Sequence, residues 1–179
     1  MEKRNTLEMK QVNYVIPGDD KEFFRCIAFV MEQECRKRKD GTLDDGYVNN
    51  PNDPGGETKY GISKKAYPNL DIKNLSLEDA LALYYRDYWY LSKLIDFALN
   101  LCVFDCAVNQ GTKRAKEFLS VCKKDWKLFH FQREQHYISL IQGKFKDNPD
   151  REKFRKAWFS RLNNLKKFIA VASPKSPSS

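Results

Sequence analysis

The sequence predicts a mainly α-helical protein with at most one small β-hairpin. Apolar residues recur with helical spacing in six segments, whereas strand signals are weak throughout. One long stretch, residues 49–63, lacks helical spacing and contains two prolines and three glycines, which favour loop conformations. Because 41% of the 179 residues are hydrophobic, the chain can form a packed core, and its length favours one domain with a small appendage.

Two capping signals and a stop signal support the predicted helices. Asp19 or Asp20 can cap the first helix, and Ser76 with Asp79 forms an Asp-containing relative of the capping box. Gly111 is a natural helix stop. The predicted helices cover residues 21–34, 76–90, 94–110, 113–125, 129–142 and 151–171, with a short helical piece at 64–67.

The chain divides by composition into four predicted regions. A polar N-terminal arm includes a short extended piece at 12–16, and the C-terminal sequence SPKSPSS is expected to be disordered. Between them we expect a larger helical region and a smaller C-terminal helical region packed on it. The four regions are residues 1–18, 19–126, 127–172 and 173–179.

The charge and the apolar runs limit the classes of partner. A net charge of +8 and a pI near 9.2 predict attraction to polyanions, which include nucleic acid, anionic membrane surfaces and anionic cell-wall polymers. The first 20 residues lack the apolar region of a secretory signal peptide, and no apolar run reaches the length of a membrane span. We therefore expect a chain that is synthesised in the cytoplasm and folds there as a soluble protein.

The cysteines and histidines do not predict a metal site or a cofactor. An odd number of cysteines without CxxC spacing, mostly within apolar runs, favours buried free thiols. His130 and His136 show no ligand spacing with them. The five cysteines are Cys26, Cys35, Cys102, Cys106 and Cys122.

The loop at residues 49–63 is the best candidate for function. A long loop in a small domain is more often functional than connective, although a surface hairpin without chemistry has the same composition. An acid at the end of a buried helix, followed by a loop with a second acid, is the arrangement that glycoside hydrolysis needs. Glu32 and Glu34 stand at such a helix end, where solvated side chains are the plain alternative.

The segment DGYVNNPNDPGGETKYGIS, residues 45–63, resembles the signature of glycoside hydrolase family 108, the phage-like muramidases. Further matches are YYRDYWY at 84–90, FDCAVNQG at 104–111 and the stretch around Trp158 and Arg161. The resemblance covers roughly residues 20–170. It implies a lysozyme-like α fold, a catalytic region within 19–126, and cleavage of the β-1,4 bond between N-acetylmuramic acid and N-acetylglucosamine.

The catalytic acid of this family is the Glu of an E-G-G-Y motif, and here the sequence departs from the pattern. The matching tetrapeptide at 44–47 reads DDGY. In an ungapped alignment Asp44 replaces the acid and stands nine residues before Asp53, the interval of the family. In a gapped alignment FVMEQE at 29–34 matches the helix end, so Glu34 is the acid and the interval to Asp53 is nineteen residues.

We prefer Glu34 and retain Asp44 as the alternative acid. A surface insertion at residues 35–44 costs little loop-closure entropy. Replacing Glu by Asp withdraws the carboxyl group by about 1.5 Å, and a misplacement of that size can cost on the order of 10²-fold in rate. The end of a buried helix also fixes Glu34 against the apolar core.

The other expected roles follow from the resemblance. Asp53 would orient water or stabilise positive charge, and Thr58 would hold water or a substrate amide. Asn109 and Gln110 would bond N-acetyl groups, with capping of the helix end as the alternative. The residues expected to line the cleft, each aromatic one equally suited to core packing, are Tyr47, Gly55, Gly56, Tyr60, Tyr88 and Trp89.

Two other functional classes stay open. One is a peptidoglycan-binding protein that has lost catalysis, and the other is a basic nucleic-acid-binding protein, which only the charge favours. We expect a monomer that binds peptidoglycan glycan strands, with neither nucleic acid nor membrane insertion. Without a signal peptide, it would reach the periplasm or the exterior through a holin-like pore, a dedicated secretion route or host lysis.

Overall fold

A computed structural model of the chain describes residues 11–35, 38–42, 44–49, 55–94 and 96–172. These residues form six α-helices, a short 3₁₀ turn and one two-stranded sheet, which confirms the predicted mainly α class. The chain divides into two compact units, Met1–Asp87 and Tyr88–Ser179. The predicted functional boundary at residue 126 stays a prediction, and the predicted disordered tail lies outside the described residues.

The first unit begins with α1 (Lys21–Glu34), whose bounds agree with the prediction. Asp20 caps the helix, because its Oδ1 accepts the backbone N–H of Phe23 at 3.0 Å. The extended piece expected at 12–16 forms no named strand. The buried face of α1 consists of Phe23, Cys26, Ile27, Phe29, Val30 and Met31.

The second helix, α2 (Leu77–Asp87), starts at the predicted cap. Ser76 Oγ accepts the N–H of Asp79 at 3.0 Å and donates to its carboxylate at 2.9 Å. The same buried carboxylate accepts the backbone N–H groups of Gln11 and Val12 at 3.2 and 3.1 Å. Asp79 therefore ties the segment before α1 to the start of α2.

The prediction that this second helix reaches Tyr90 was wrong. Tyr88 adopts φ −127° and ψ −37°, outside the helical region, and a 3₁₀ turn at Trp89–Leu91 follows. The short helical piece predicted at 64–67 was also wrong. The chain there makes a single turn, in which Tyr67 N–H donates to the Ser63 carbonyl, and Pro68 disfavours the α conformation at the preceding residue.

The sheet is a hairpin of β1 (Thr58–Lys59) and β2 (Ile62–Ser63), paired antiparallel. The two turn residues, Tyr60 and Gly61, have φ values of 51° and 76°. Positive φ at both central residues defines a type I′ turn, whose twist matches the twist of the flanking strands. Val48 pairs with Thr58 in an isolated bridge that extends the hairpin.

The second unit consists of four helices after the 3₁₀ turn. Its central helix is buried on nearly all sides and packs against the next two helices, as predicted for the apolar segment. Gly111, at φ 87°, ends it. The four helices are α3 (Phe97–Gln110), α4 (Thr112–Val121), α5 (Trp126–Gln142) and α6 (Arg151–Ala172).

Some helix ends in the second unit differ from the prediction. The α3 helix starts at Phe97 because Asp96 caps it. The α4 helix ends at Val121 because Lys123 and Lys124 adopt left-handed φ values of 51° and 61°. These lysines carry no sequence signal for that conformation.

A buried ion-pair network stabilises the second unit. Asp105 is fully buried and pairs with Arg133 at 2.8 Å and with Arg161 at 2.7 Å. Burial opposes ionisation of this carboxyl group, but the two guanidinium groups outweigh that effect and hold its pKa below the usual range.

All five cysteines are free and buried, as predicted. Among the described residues, no helix is both long enough and apolar enough to span a membrane.

Candidate active site

Glu34 is the last residue of α1, and its side chain lies against the turn of the hairpin. A Cβ atom placed on Gly61 would lie 3.1 Å from Glu34 Cβ and 3.3 Å from Glu34 Cγ. Only a glycine allows this approach, since such distances are shorter than ordinary van der Waals contact. The stem of Glu34 is therefore packed, while the residue as a whole is partly exposed.

The hairpin turn is held in place by hydrogen bonds on both sides of Tyr60. Its backbone N–H donates to the carbonyl of Asp45 at 2.7 Å, and its carbonyl accepts the Tyr84 hydroxyl at 2.9 Å. Positive φ is uncommon for an aromatic residue, so these contacts maintain a strained backbone. The Lys59 ammonium lies 5.4 Å from the centre of the Tyr60 ring.

After α1 the described part of the chain turns back, and at Gly46 it lies again beside the helix end. Arg38 and Thr42 close a tight turn, in which Arg38 N–H donates to the Thr42 carbonyl at 2.8 Å. A Cβ atom on Gly46 would lie 3.9 Å from the backbone carbonyl oxygen of Glu34. The chain at Gly46 therefore lies directly beside the end of α1.

Asp44, the alternative acid, makes two interactions with neighbouring residues. Its Oδ1 accepts the N–H of Gly46 at 3.1 Å and lies 3.7 Å from the Arg38 guanidinium. The neighbouring Asp45 is arranged in the same way: it accepts the N–H of Tyr47 at 3.1 Å and lies 3.7 Å from the Lys59 ammonium.

The Cys35 thiol is buried directly after the end of α1. Burial is the main reason that its pKa rises to about 11, and the carboxyl groups of Glu34, Asp44 and Asp45 raise it further. Asp44 bonds Gly46, which lies beside the Glu34 carbonyl, so both candidate acids lie near the end of α1.

Further predicted residues stand in the loop and directly before it. Tyr47 Oη donates to Glu57 Oε1 at 2.6 Å, and this hydrogen bond raises the pKa of Tyr47. Thr58 stands on β1, with its hydroxyl 3.4 Å from the Gly56 carbonyl. Gly56 adopts φ 69°, which favours glycine.

Gly55 accepts the backbone N–H of Lys65 at 3.2 Å, which closes the other side of the loop. Asp53 lies outside the described residues, as do its neighbours from Asn50 to Pro54.

The predicted residues of the second unit have contacts within that unit. The Trp89 ring is 1% exposed and meets the Phe104 ring edge to face at 5.3 Å, as in a packed core. Asn109 Oδ1 accepts the Tyr137 hydroxyl at 2.6 Å. Gln110 Oε1 accepts the Arg133 Nε–H at 3.2 Å, and Tyr88 is partly exposed. Their roles in substrate binding stay predictions.

Sequence reasoning missed three residues that shape this region. Glu57 stands at the variable position of the loop motif, and Gly61 stands near its end, but neither was assigned a role. Tyr84 lies within the matched segment YYRDYWY. Its contact with the turn joins residues 24 positions apart, and only the fold reveals such a contact.

Glycoside hydrolysis uses a pair of carboxyl groups, and Glu34 lies beside a loop whose sequence carries a second acid. Residues 28–111 match the family model described as Glycosyl hydrolase 108, a span slightly under half of the chain that includes Glu34, the hairpin, α2 and α3. This match supports the predicted family, and that family implies a lysozyme-like peptidoglycan hydrolase. Neither the search of curated proteins nor the search of solved structures gave a significant match.

Proposed function

We propose that this protein is an N-acetylmuramidase that cleaves the β-1,4 bond between N-acetylmuramic acid and N-acetylglucosamine, with Glu34 as general acid. The observation that carries the proposal is the position of Glu34, at the end of α1 and packed against the turn of the hairpin within the loop. A side chain fixed through its stem can present its carboxyl group in one orientation, which general acid catalysis requires.

The surroundings of Asp44 support the choice of Glu34 rather than Asp44 as the general acid. Asp44 accepts the backbone N–H of Gly46 and lies 3.7 Å from the Arg38 guanidinium, so its side chain takes part in the local structure that precedes the loop. Asp45 has the same two kinds of partner, which supports a structural role for both aspartates.

The path of the chain supports the gapped alignment. In the family motif a glycine stands two residues after the acid, and here Gly46 lies beside the Glu34 carbonyl although twelve positions separate them in sequence. We therefore propose that residues 35–44 are an insertion, after which Gly46 takes the place beside the acid that the family pattern gives to its glycine.

In the proposed reaction Glu34 gives its proton to the glycosidic oxygen as the bond from this oxygen to the anomeric carbon breaks. A water molecule supplies hydroxide to the anomeric carbon, and the second proton of that water restores the acid form of the enzyme. We assign Asp53 to orient the water or stabilise the positive charge, and Thr58 to hold the water. Gly55 and Gly56 would allow the sugar to approach the backbone closely.

The proposed substrate is the glycan strand of the bacterial wall. Its anionic polymers would attract a protein with a net charge of +8. The proposed place of action is the periplasm or the exterior, reached through a pore, a secretion route or lysis of the host.

Lysis of purified Gram-negative sacculi tests the proposal. Glu34→Gln should abolish release of reducing ends, because the amide cannot donate an acidic proton. Asp44→Asn should only weaken it, and Asp45→Asn is the matched control, since both aspartates have an N–H and a cationic partner.

Two outcomes would contradict this assignment. Loss of lysis in Asp44→Asn with activity retained in Glu34→Gln would transfer the acid role to Asp44. An inactive wild-type protein that still sediments with sacculi would support a binding protein without catalysis.

A further inference from the structure

We infer that Tyr84 is a positioning residue for Glu34: its buried hydroxyl fixes the hairpin turn against which the Glu34 side chain packs. Tyr84 belongs to α2 and is 1% exposed, so its hydroxyl acts inside the first unit. The expected effect of Tyr84 on catalysis rests on the proposed role of Glu34 as the acid. The effect of Tyr84 on the position of the Glu34 side chain does not depend on that role.

The first step of the argument is the state of the turn. Tyr60 holds a φ of 51°, a conformation that non-glycine residues adopt only when their surroundings impose it. The Asp45 carbonyl accepts its N–H, and the Tyr84 hydroxyl donates to its carbonyl at 2.9 Å. Removal of the hydroxyl leaves that part-buried carbonyl without this donor and frees one side of a strained residue.

The second step is the contact between the turn and the acid. A Cβ atom on Gly61 would lie 2.5 Å from Tyr84 Oη, 3.1 Å from Glu34 Cβ and 3.3 Å from Glu34 Cγ. The Tyr84 hydroxyl and the stem of Glu34 thus approach the same face of Gly61. The contact at Cγ restricts the first side-chain torsion of Glu34, which sets the direction in which the rest of the side chain extends.

A matched pair of variants tests the inference in the full-length protein. Tyr84→Phe removes the hydroxyl that holds the turn. Tyr85→Phe removes a comparable bond, from the Tyr85 hydroxyl to the carboxylate of Asp20 at 2.9 Å, but at the opposite end of α1. Each variant loses a hydroxyl that donates a hydrogen bond within the first unit, and the bond to a carboxylate should make Tyr85→Phe at least as costly for stability as Tyr84→Phe.

With soluble uncross-linked glycan strands, Tyr84→Phe should lower kcat about tenfold with KM unchanged, because the acid is displaced while the sugar contacts remain. Tyr85→Phe should leave both parameters within about twofold of wild type. Equal effects of the two variants on kcat would overturn the inference, since a general loss of stability would then explain both.

A second measurement does not depend on activity. In protein labelled with ¹³C-glutamate, the carboxyl resonance of Glu34, identified by its absence in Glu34→Gln, should shift or broaden in Tyr84→Phe and stay in place in Tyr85→Phe. An unchanged Glu34 resonance in Tyr84→Phe would overturn the positioning role. If the wild-type protein is inactive while this spectral difference is present, the proposed function fails and the positioning role stands.

A third variant tests the close approach of the Tyr84 hydroxyl to Gly61. Gly61→Ala should fold poorly because its Cβ meets the Tyr84 hydroxyl, and the double variant with Tyr84→Phe should regain part of the lost thermal stability. Absence of any recovery in the double variant would contradict the contact between Gly61 and Tyr84.

Discussion

His130, in α5, is the residue whose burial has the clearest consequence for pH dependence. Its side chain is 3% exposed, and within the described structure neither ring nitrogen has a hydrogen-bond partner. Burial lowers the pKa of His130 to about 4, assisted by the positive charges of Lys166 and Arg133 and opposed by Asp105. The folded protein therefore holds this histidine neutral at pH values at which the unfolded chain protonates it.

We expect the free energy of unfolding to fall as the pH drops from about 6.5 to about 4, because in that window only the unfolded state binds the proton. Above that window His130 is neutral in both states, so its contribution is fully present. The loss attributable to His130 should be on the order of 2 kcal/mol.

Urea denaturation at several pH values checks this expectation. His130→Leu should flatten the profile between pH 6.5 and 4, whereas His136→Gln should keep most of the slope, since His136 is more exposed than His130. A slope that is identical in wild type and His130→Leu would show that other groups cause it.

At the scale of the element, the start of α2 depends on one buried carboxylate. Asp79 accepts two backbone N–H groups from the segment before α1 and the hydroxyl of Ser76 within its own helix cap. The helix cap could be predicted from the sequence because its partners are three residues apart. The bonds from Asp79 to Gln11 and Val12 could not be predicted, because these partners lie 68 and 67 positions away.

Asp79→Ala should destabilise the protein by about 2–3 kcal/mol, because it leaves two largely buried N–H groups unpaired. Ser76→Ala should cost about 1 kcal/mol, the usual value of a helix cap. Urea titrations of both variants measure the difference, and equal losses would mean that Asp79 acts only as part of the cap.

The same distinction between local and distant contacts explains which parts of the site were predictable. The position of Glu34 at a helix end follows from apolar spacing and a cap within its own segment. The packing of Glu34 on Gly61 and the hydrogen bond from Tyr84 to Tyr60 depend on how helix and hairpin meet, which leaves no pattern in either segment. Thus the position of Glu34 at a helix end could be predicted from the sequence, whereas the contacts that hold its side chain could not.

At the scale of the whole molecule, the positive charge is distributed unevenly. Residues 88–179 contain 18 lysines and arginines against 8 acidic residues, whereas residues 1–87 contain 14 against 16. The net charge of +8 therefore comes from the second unit alone. Attraction to an anionic wall polymer should depend mainly on that unit, and salt should weaken it.

Charge reversal tests this expectation. Replacing Lys153, Lys156 and Lys167, all exposed on α6, with glutamate should weaken sedimentation with sacculi several-fold at low salt and reduce its salt dependence. A control variant of the same net charge carries the same change at three exposed lysines of the first unit, Lys21, Lys65 and Lys73. Equal weakening by both variants would show that total charge alone governs binding.

The short distance between Gly46 and the end of α1 has a consequence for engineering. Because Gly46 lies beside the Glu34 carbonyl, residues could be added to or removed from the stretch between them at only the small entropy cost of a longer or shorter closed loop. Glu34 and the hairpin would keep their places through such changes. This stretch is therefore a suitable point of attachment for a foreign peptide or a reporter label close to the proposed active site.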